Sequence, residues 1–262
     1  MAEYQHILFS QRGGVARLTL NRPDKLNSFN AAMHLEVRDA IACTAAAEAR
    51  VLLLTGAGRG FCAGQDLGDR AMRQGEALDL GASIEEFYAP LVRSLRALPL
   101  PVVCAVNGIA AGAGANLALA CDLVLATQSA HFYEPFCKLG LVPDTGGTFF
   151  LPRLLGSARA LGMALLGDKI PAEQAAAWGL IWRAIPDADF AAAVEAIVEQ
   201  LAQAPTRGLA RIKQAIYAAE ANGLEDQLEV ERDFNRELGN SADYREGVAA
   251  FLEKRAPRFQ GR

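Results

Sequence analysis

The chain has 262 residues, with 26 basic against 30 acidic side chains and a formal charge of −4. With 52% hydrophobic and 21% charged residues it has the composition of a folded globule, which excludes disordered, collagenous and disulfide-scaffold classes. The acidic balance excludes a global attraction for polyanions, so no nucleic-acid partner is expected. Five cysteines, an odd count with no C-x-x-C pair, point to a reducing, cytoplasmic compartment.

The first residues, Met1–His6, carry no basic segment followed by an apolar core, so no secretory signal is expected. The apolar stretches around 102–106 and 109–126 are interrupted by glycine, asparagine and aspartate, and no membrane partner is expected. Ile7–Gln11 and Val15–Leu20 flank Gly13-Gly14 and predict a hairpin. Ala31–Thr44 reads as a helix with Asn30 as its N-cap. Val51–Thr55, Val102–Val106 and Leu123–Ala126 read as buried strands. Helices are predicted at Ser83–Ala97 and Gly114–Ala120. This alternation argues for β-α-β units, with function just after Thr55 and Val106. From Ala158 onward the chain reads as helix after helix: Ala158–Leu166, Ala172–Trp178, Ala191–Ala202, Thr206–Ala219, Leu224–Leu238 and Ala242–Lys254.

Three stretches could carry chemistry. The loop Arg59-Gly60-Phe61-Cys62-Ala63-Gly64-Gln65-Asp66-Leu67 follows a strand and lets backbone amides approach a negative oxygen, unless it is a plain surface turn. Asn107–Asn116 leads from a strand into a helix whose N-terminal amides suit an anion, with close helix packing as the alternative. In Gly140–Gly147, Asp144 reads either as an N-cap or as an acid/base between apolar neighbours. The three histidines lack metal-ligand spacing, so no metal site is expected. Glu134 reads as an exposed strand-end glutamate, and Trp178 and Trp182 as core residues.

Taken in order, Asn21–Ser28, Phe61–Leu67, Val102–Asp122 and Gly140–Gly147 resemble the enoyl-CoA hydratase/isomerase (crotonase) superfamily, and the resemblance runs through Trp178-Gly179-Leu180 to Ala250–Arg255. It implies an α/β fold: a ClpP-like ββα spiral core over residues 1–200 holding CoA and the active site, and a helical region over 201–262 that builds trimers or hexamers. It implies an acyl-CoA thioester substrate, with coenzyme A part of the substrate and no separate cofactor. The thioester oxygen would be held by the backbone amides of Gln65 and Ala113. CoA contacts would come from Lys25 and Leu26, from the loop at Ala63, Gly64, Asp66 and Leu67, and from Lys254 of a neighbouring subunit, with Arg22 a weaker candidate. Gly112, Gly114, Asn116 and Phe136 would line the substrate.

The departures from the family pattern set the expected reaction. The two glutamates that handle water in family hydratases fall on Asn116 and Phe136, neither of which transfers a proton as a carboxylate does. Hydration is therefore not expected, and replacement of Asn116 by alanine should be mild. Asp144 matches the catalytic carboxylate of the family's isomerases, and the resemblance lies with members acting in phenylacetate breakdown. Movement of a 3-enoyl double bond and a non-catalytic RNA-binding role on the same fold are the alternatives.

Overall fold

The computed structural model describes residues 3–46, 48–68 and 79–262. Strands β1 (Ile7–Arg12) and β2 (Val15–Leu20) form the expected antiparallel hairpin, in register from Ile7–Leu20 to Arg12–Val15. Gly13 and Gly14 take the positive φ of its turn. Beside β2 lie β3 (Val51–Gly56), β5 (Val102–Val106), β7 (Leu123–Thr127) and β10 (Arg183–Ile185), all parallel, in the order β1-β2-β3-β5-β7-β10.

These strands read as unbroken apolar runs because both faces of the sheet are covered. Leu52, Leu54, Cys104 and Val106 enter the larger core, while Val51, Leu53, Val103 and Leu125 meet Val194, Val198 and Ala202 on the other side.

A second sheet of three-residue strands was not predicted: β4 (Gly60–Cys62), β6 (Ile109–Ala111), β8 (His131–Tyr133) and β9 (Lys169–Pro171), in the order β4-β6-β8-β9. The pairs β3/β4, β5/β6 and β7/β8 each place one strand in either sheet before a helix, which is the ββα spiral expected. Function was expected just after Thr55 and Val106, but the chain there turns directly into β4 and β6. The candidate loops therefore open one short strand later.

Helix α1 (Ala31–Ala46) starts at the predicted cap, where Asn30 Oδ1 accepts the Met33 N–H at 2.9 Å. The helix predicted at Ser83–Ala97 begins earlier, as α2 (Leu80–Ser83), a π turn (Ile84–Tyr88) and α3 (Ala89–Ala97). Helix α4 (Ala113–Leu119) is buried throughout. Helix α5 (Gly147–Leu166) starts well before the predicted Ala158, because Gly156 (φ 71°, ψ 163°) breaks it and only the second half is visible as a helical pattern. It is long and apolar enough to cross a membrane by length and composition, yet Phe150, Leu151, Leu155, Ala160 and Met163 pack into the core. After α6 (Ala172–Trp178), Trp178 packs partly buried against the core as expected. Trp182 does not: it is 57% exposed, beneath the Arg183 guanidinium.

Helix α7 (Phe190–Gln203) runs across the expected boundary at residue 200 and covers the large sheet with Val194, Val198 and Ala202. Helices α8 (Thr206–Ala218), α9 (Leu224–Leu238) and α10 (Ala242–Glu253) follow. Lys213 fastens α8 to the core, donating to Leu95 O at 3.0 Å and Leu100 O at 3.3 Å and pairing with Asp122 at 3.0 Å.

Candidate active site

The order of the small sheet assembles the site. β4 pairs with β6 (Cys62 opposite Ala110) and β6 with β8 (Ala111 opposite Tyr133), so the segments after these three strands emerge side by side. The Gly112 N–H donates to Tyr133 O at 2.7 Å and closes the second junction.

The first segment is pinned to the Lys25–Phe29 turn. Ala63 N donates to Leu26 O at 2.9 Å, Phe29 N to Gly64 O at 2.7 Å and Asp66 N to Phe29 O at 2.9 Å. These bonds use the peptide groups on either side of Gln65. Its own N–H has no acceptor among the described residues. The Gln65 side chain is fixed as well, because the π turn directs Tyr88 inward and its hydroxyl donates to Gln65 Oε1 at 2.7 Å.

Asn27 holds this corner together and was not singled out by sequence reasoning. It is fully buried in the left-handed region (φ 56°), its Nδ2 donates to Ala57 O at 2.9 Å and Gly60 O at 2.8 Å, and its Oδ1 accepts the Arg22 N–H at 2.8 Å. The signal was its place in the Asn21–Ser28 motif, since asparagine tolerates that backbone.

The second segment starts helix α4. Gly112 (φ 52°) precedes Ala113, whose N–H lies in the first turn and has no acceptor among the described residues. The two loops touch. A Cβ on Gly64 (φ 89°) would stand 2.8 Å from Ala111 O and 3.3 Å from Ala113 N, and one on Gly114 would stand 2.3 Å from Cys62 O. The close approach that the glycines suggested is thus real, and it sets the Gln65 and Ala113 amides on neighbouring loops beside the α4 N-terminus. Complete burial pushes the Cys62 thiol up to about 12, which disfavours its thiolate.

The third segment carries the acids. Asp144 is half-buried, and the Thr145 hydroxyl donates to its Oδ1 at 2.8 Å. It is not the N-cap of α5, which is Gly146 with no side-chain cap bond. Asn116, expected on the substrate, is instead fully buried and turned into the protein. Its Nδ2 donates to Asp144 O at 2.9 Å and to Glu134 Oε2 at 3.3 Å.

Glu134, read from sequence as exposed, is also fully buried. Burial first, and then the nearby Asp144 charge, push its carboxyl well above the usual glutamate range, against the opposing Asn116 hydrogen bond. Glu134 follows the last residue of β8 and caps the short 3-10 helix Pro135–Leu139, a placement that a three-residue strand is too short to signal in sequence. Phe136 is buried against the second loop, 3.5 Å from where a Cβ on Gly112 would be.

Of the expected CoA contacts, Lys25 and Leu67 are exposed beside the first loop, while Leu26 is half-buried. Asp66 and Arg22 are committed to each other at 2.8 Å, and that guanidinium holds the Asp66 carboxyl below its usual range. The Arg22–Asp66 pair braces the loop against the Asn21–Ser28 turn. Lys254 is the exposed left-handed C-cap of α10 and joins none of these bonds.

The sequence profile described as "Enoyl-CoA hydratase/isomerase" matches residues 10–262. The chain is 55% identical to the "1,2-epoxyphenylacetyl-CoA isomerase" of Escherichia coli K12, over 98% of this chain and 99% of that one. It is 51% identical, over 99% of both chains, to a Rhodobacter capsulatus protein named "Probable enoyl-CoA hydratase". The crystal structure of the enoyl-CoA hydratase from Bacillus anthracis superposes with a TM-score of 0.90 at 31% identity, covering 98% of this chain and 100% of the other.

Proposed function

The chain belongs to the enoyl-CoA hydratase/isomerase family, and from that premise we propose that it is an acyl-CoA isomerase converting 2-(1,2-epoxy-1,2-dihydrophenyl)acetyl-CoA to oxepin-CoA in phenylacetate breakdown. The observation that carries this reading is the combination of one partly accessible carboxylate, Asp144, with two main-chain donors at Gln65 and Ala113, where the water-handling positions hold Asn116 and Phe136. Glu134 cannot take the place of a missing hydratase glutamate, because no part of it reaches solvent. The name of the E. coli relative supports the same substrate.

In this reading the Gln65 and Ala113 amides hold the thioester oxygen as it becomes an enolate. Asp144 takes a proton from the carbon next to the carbonyl. Opening of the epoxide ring redistributes the electrons, and the proton returns elsewhere on the conjugated system. The product has the atoms of the substrate, and no external reductant or water is consumed. The α4 N-terminus adds favourable field at the same oxygen. Phe136, packed on Gly112, offers an apolar wall for an aromatic ring.

A 3-enoyl-CoA to trans-2-enoyl-CoA isomerisation uses the same two devices. A 31% identical relative from Streptococcus mutans, named "Trans-2-decenoyl-[acyl-carrier-protein] isomerase", favours it as a second activity. Lys25, with Lys254 lent by another subunit of a homotrimer or hexamer, would meet the anionic part of CoA. A cytoplasmic setting and the absence of a separate cofactor go with this reading.

The test offers purified protein the epoxide, a 3-enoyl-CoA and a 2-enoyl-CoA, and follows each by absorbance. Rearrangement of the epoxide without hydration of the 2-enoyl-CoA is expected. Hydration of the 2-enoyl-CoA with an untouched epoxide would overturn the proposal.

A further inference from the structure

Glu134 has surroundings that the reaction above does not explain. Its Oε2 accepts from Asn116, and its Oε1 has no partner among the described residues. Asn116 spends its two amide hydrogens on Glu134 and on the Asp144 carbonyl, which fixes the amide plane between the buried acid and the Asp144 main chain. The amide lies close to the start of α5, where a Cβ on Gly147 would stand 2.4 Å from Asn116 Nδ2. Beyond Asp144 the backbone is costly to hold at Thr145, a β-branched residue with φ 53°, before Gly146 continues the turn at φ 86°. The Asp144 carbonyl accepts from Asn116 Nδ2 and from the Gly147 N–H, the latter at 2.8 Å.

Resting on the reading of Asp144 as the acid/base, we propose that Glu134 is a positioning residue for it, acting through Asn116 to hold the strained Asp144 loop in its working conformation. The acid does this in its neutral form. An ionised carboxylate here would be buried with one amide for a partner and a second carboxylate nearby. The neutral group also brings an O–H donor into a cluster where Asn116 Oδ1 and Glu134 Oε1 are otherwise unmatched acceptors. Glu134 neither touches substrate nor exchanges a proton with it. Its contribution is to where Asp144 stands.

The test compares Glu134→Leu, which removes the acceptor, with Glu134→Gln, which keeps the shape and the acceptor without a charge. Glu134→Leu is expected to lower kcat by about tenfold or more, with KM changed by less than about twofold, because a displaced base costs rate and not binding. Glu134→Gln is expected to restore kcat to within about threefold of wild type. In a double-mutant cycle, Asn116→Leu combined with Glu134→Leu should cost no more than the worse single change.

If Glu134→Leu does not fold, Glu134→Met is read in the same way. A fully active Glu134→Leu overturns the proposal, as does a parallel change in kcat and KM, or a Glu134→Gln as inactive as Glu134→Leu. If Asp144→Asn keeps the full rate, the reading of Asp144 falls and this role falls with it. If Asp144→Asn is dead and Glu134→Leu is fully active, only the positioning role falls.

Discussion

A glutamate sealed between an asparagine and a second acid makes stability depend on pH, and the sign follows from its proton affinity. Glu134 keeps its proton after the unfolded chain has released it, so above the ordinary glutamate range the folded state binds more protons. Stability then falls as pH rises, by about 1.4 kcal/mol per pH unit for one such group. Below that range both states are protonated and the penalty is absent. Glutamine cannot ionise, so the Tm of Glu134→Gln relative to wild type should rise between pH 5 and pH 8. A constant difference across that range, in thermal scans, would show that Glu134 ionises in the folded protein as it does in the unfolded one.

Asn116→Ala, expected from sequence to be mild for activity because Asn116 transfers no proton, should destabilise the fold by about 1–3 kcal/mol in denaturant titrations, because it leaves the buried Glu134 carboxyl without its donor and removes one donor from the Asp144 carbonyl. The loops that carry Asp144, Gln65 and Ala113 were legible in the sequence, since each is marked by glycines. Glu134 and Asn116 were misplaced because their roles depend on which side chains face each other across β6, β8 and the Asp144 loop, and neighbours in sequence do not carry that.

At the scale of elements, the small sheet decides the geometry of the proposed oxyanion site. Adjacent β4 and β6 place Gly64 against Ala111 and Ala113, with no room for a side chain at a backbone angle that only glycine adopts easily. Gly64→Ala should therefore lower kcat by about tenfold or more, by moving one donor off the thioester oxygen. Gln65→Ala should keep most of the rate, because main chain supplies the donor at that position. Steady-state kinetics on the two variants check this directly, and equal losses would mean that the Gln65 side chain takes part in the chemistry.

The long apolar strands and the capped helices could be read from periodicity and from Asn30. The three-residue strands could not, since three residues are too few to show a period. That is why the site was expected at the ends of β3 and β5 and lies at the ends of β4 and β6. The bend at Gly156 hid the first half of α5 in a similar way, because a glycine in an otherwise apolar run reads as a boundary.

For the molecule as a whole, an acidic chain that is to hold CoA would, in the proposed reading, depend on local charges such as Lys25 and on what other subunits bring. Helix α9 buries none of its residues and α10 buries only Asp243 and Ala250, while Phe251 and Leu252 are 82% and 74% exposed. A run of large apolar groups at the end of the last helix is the surface on which the proposed homotrimer or hexamer would form. Phe251→Asp should shift the protein to a smaller species in sedimentation velocity and raise KM for acyl-CoA, since Lys254 lies three residues on. An unchanged sedimentation coefficient would place the assembly contact elsewhere.

The proposed reaction turns on Asp144, and its neutral isostere tests it most directly. Asp144→Asn should lower kcat for epoxide rearrangement by about a hundredfold or more, while calorimetry shows phenylacetyl-CoA binding with an affinity within about threefold of wild type. A variant that binds equally well and rearranges the epoxide at the wild-type rate would contradict an acid/base role for Asp144.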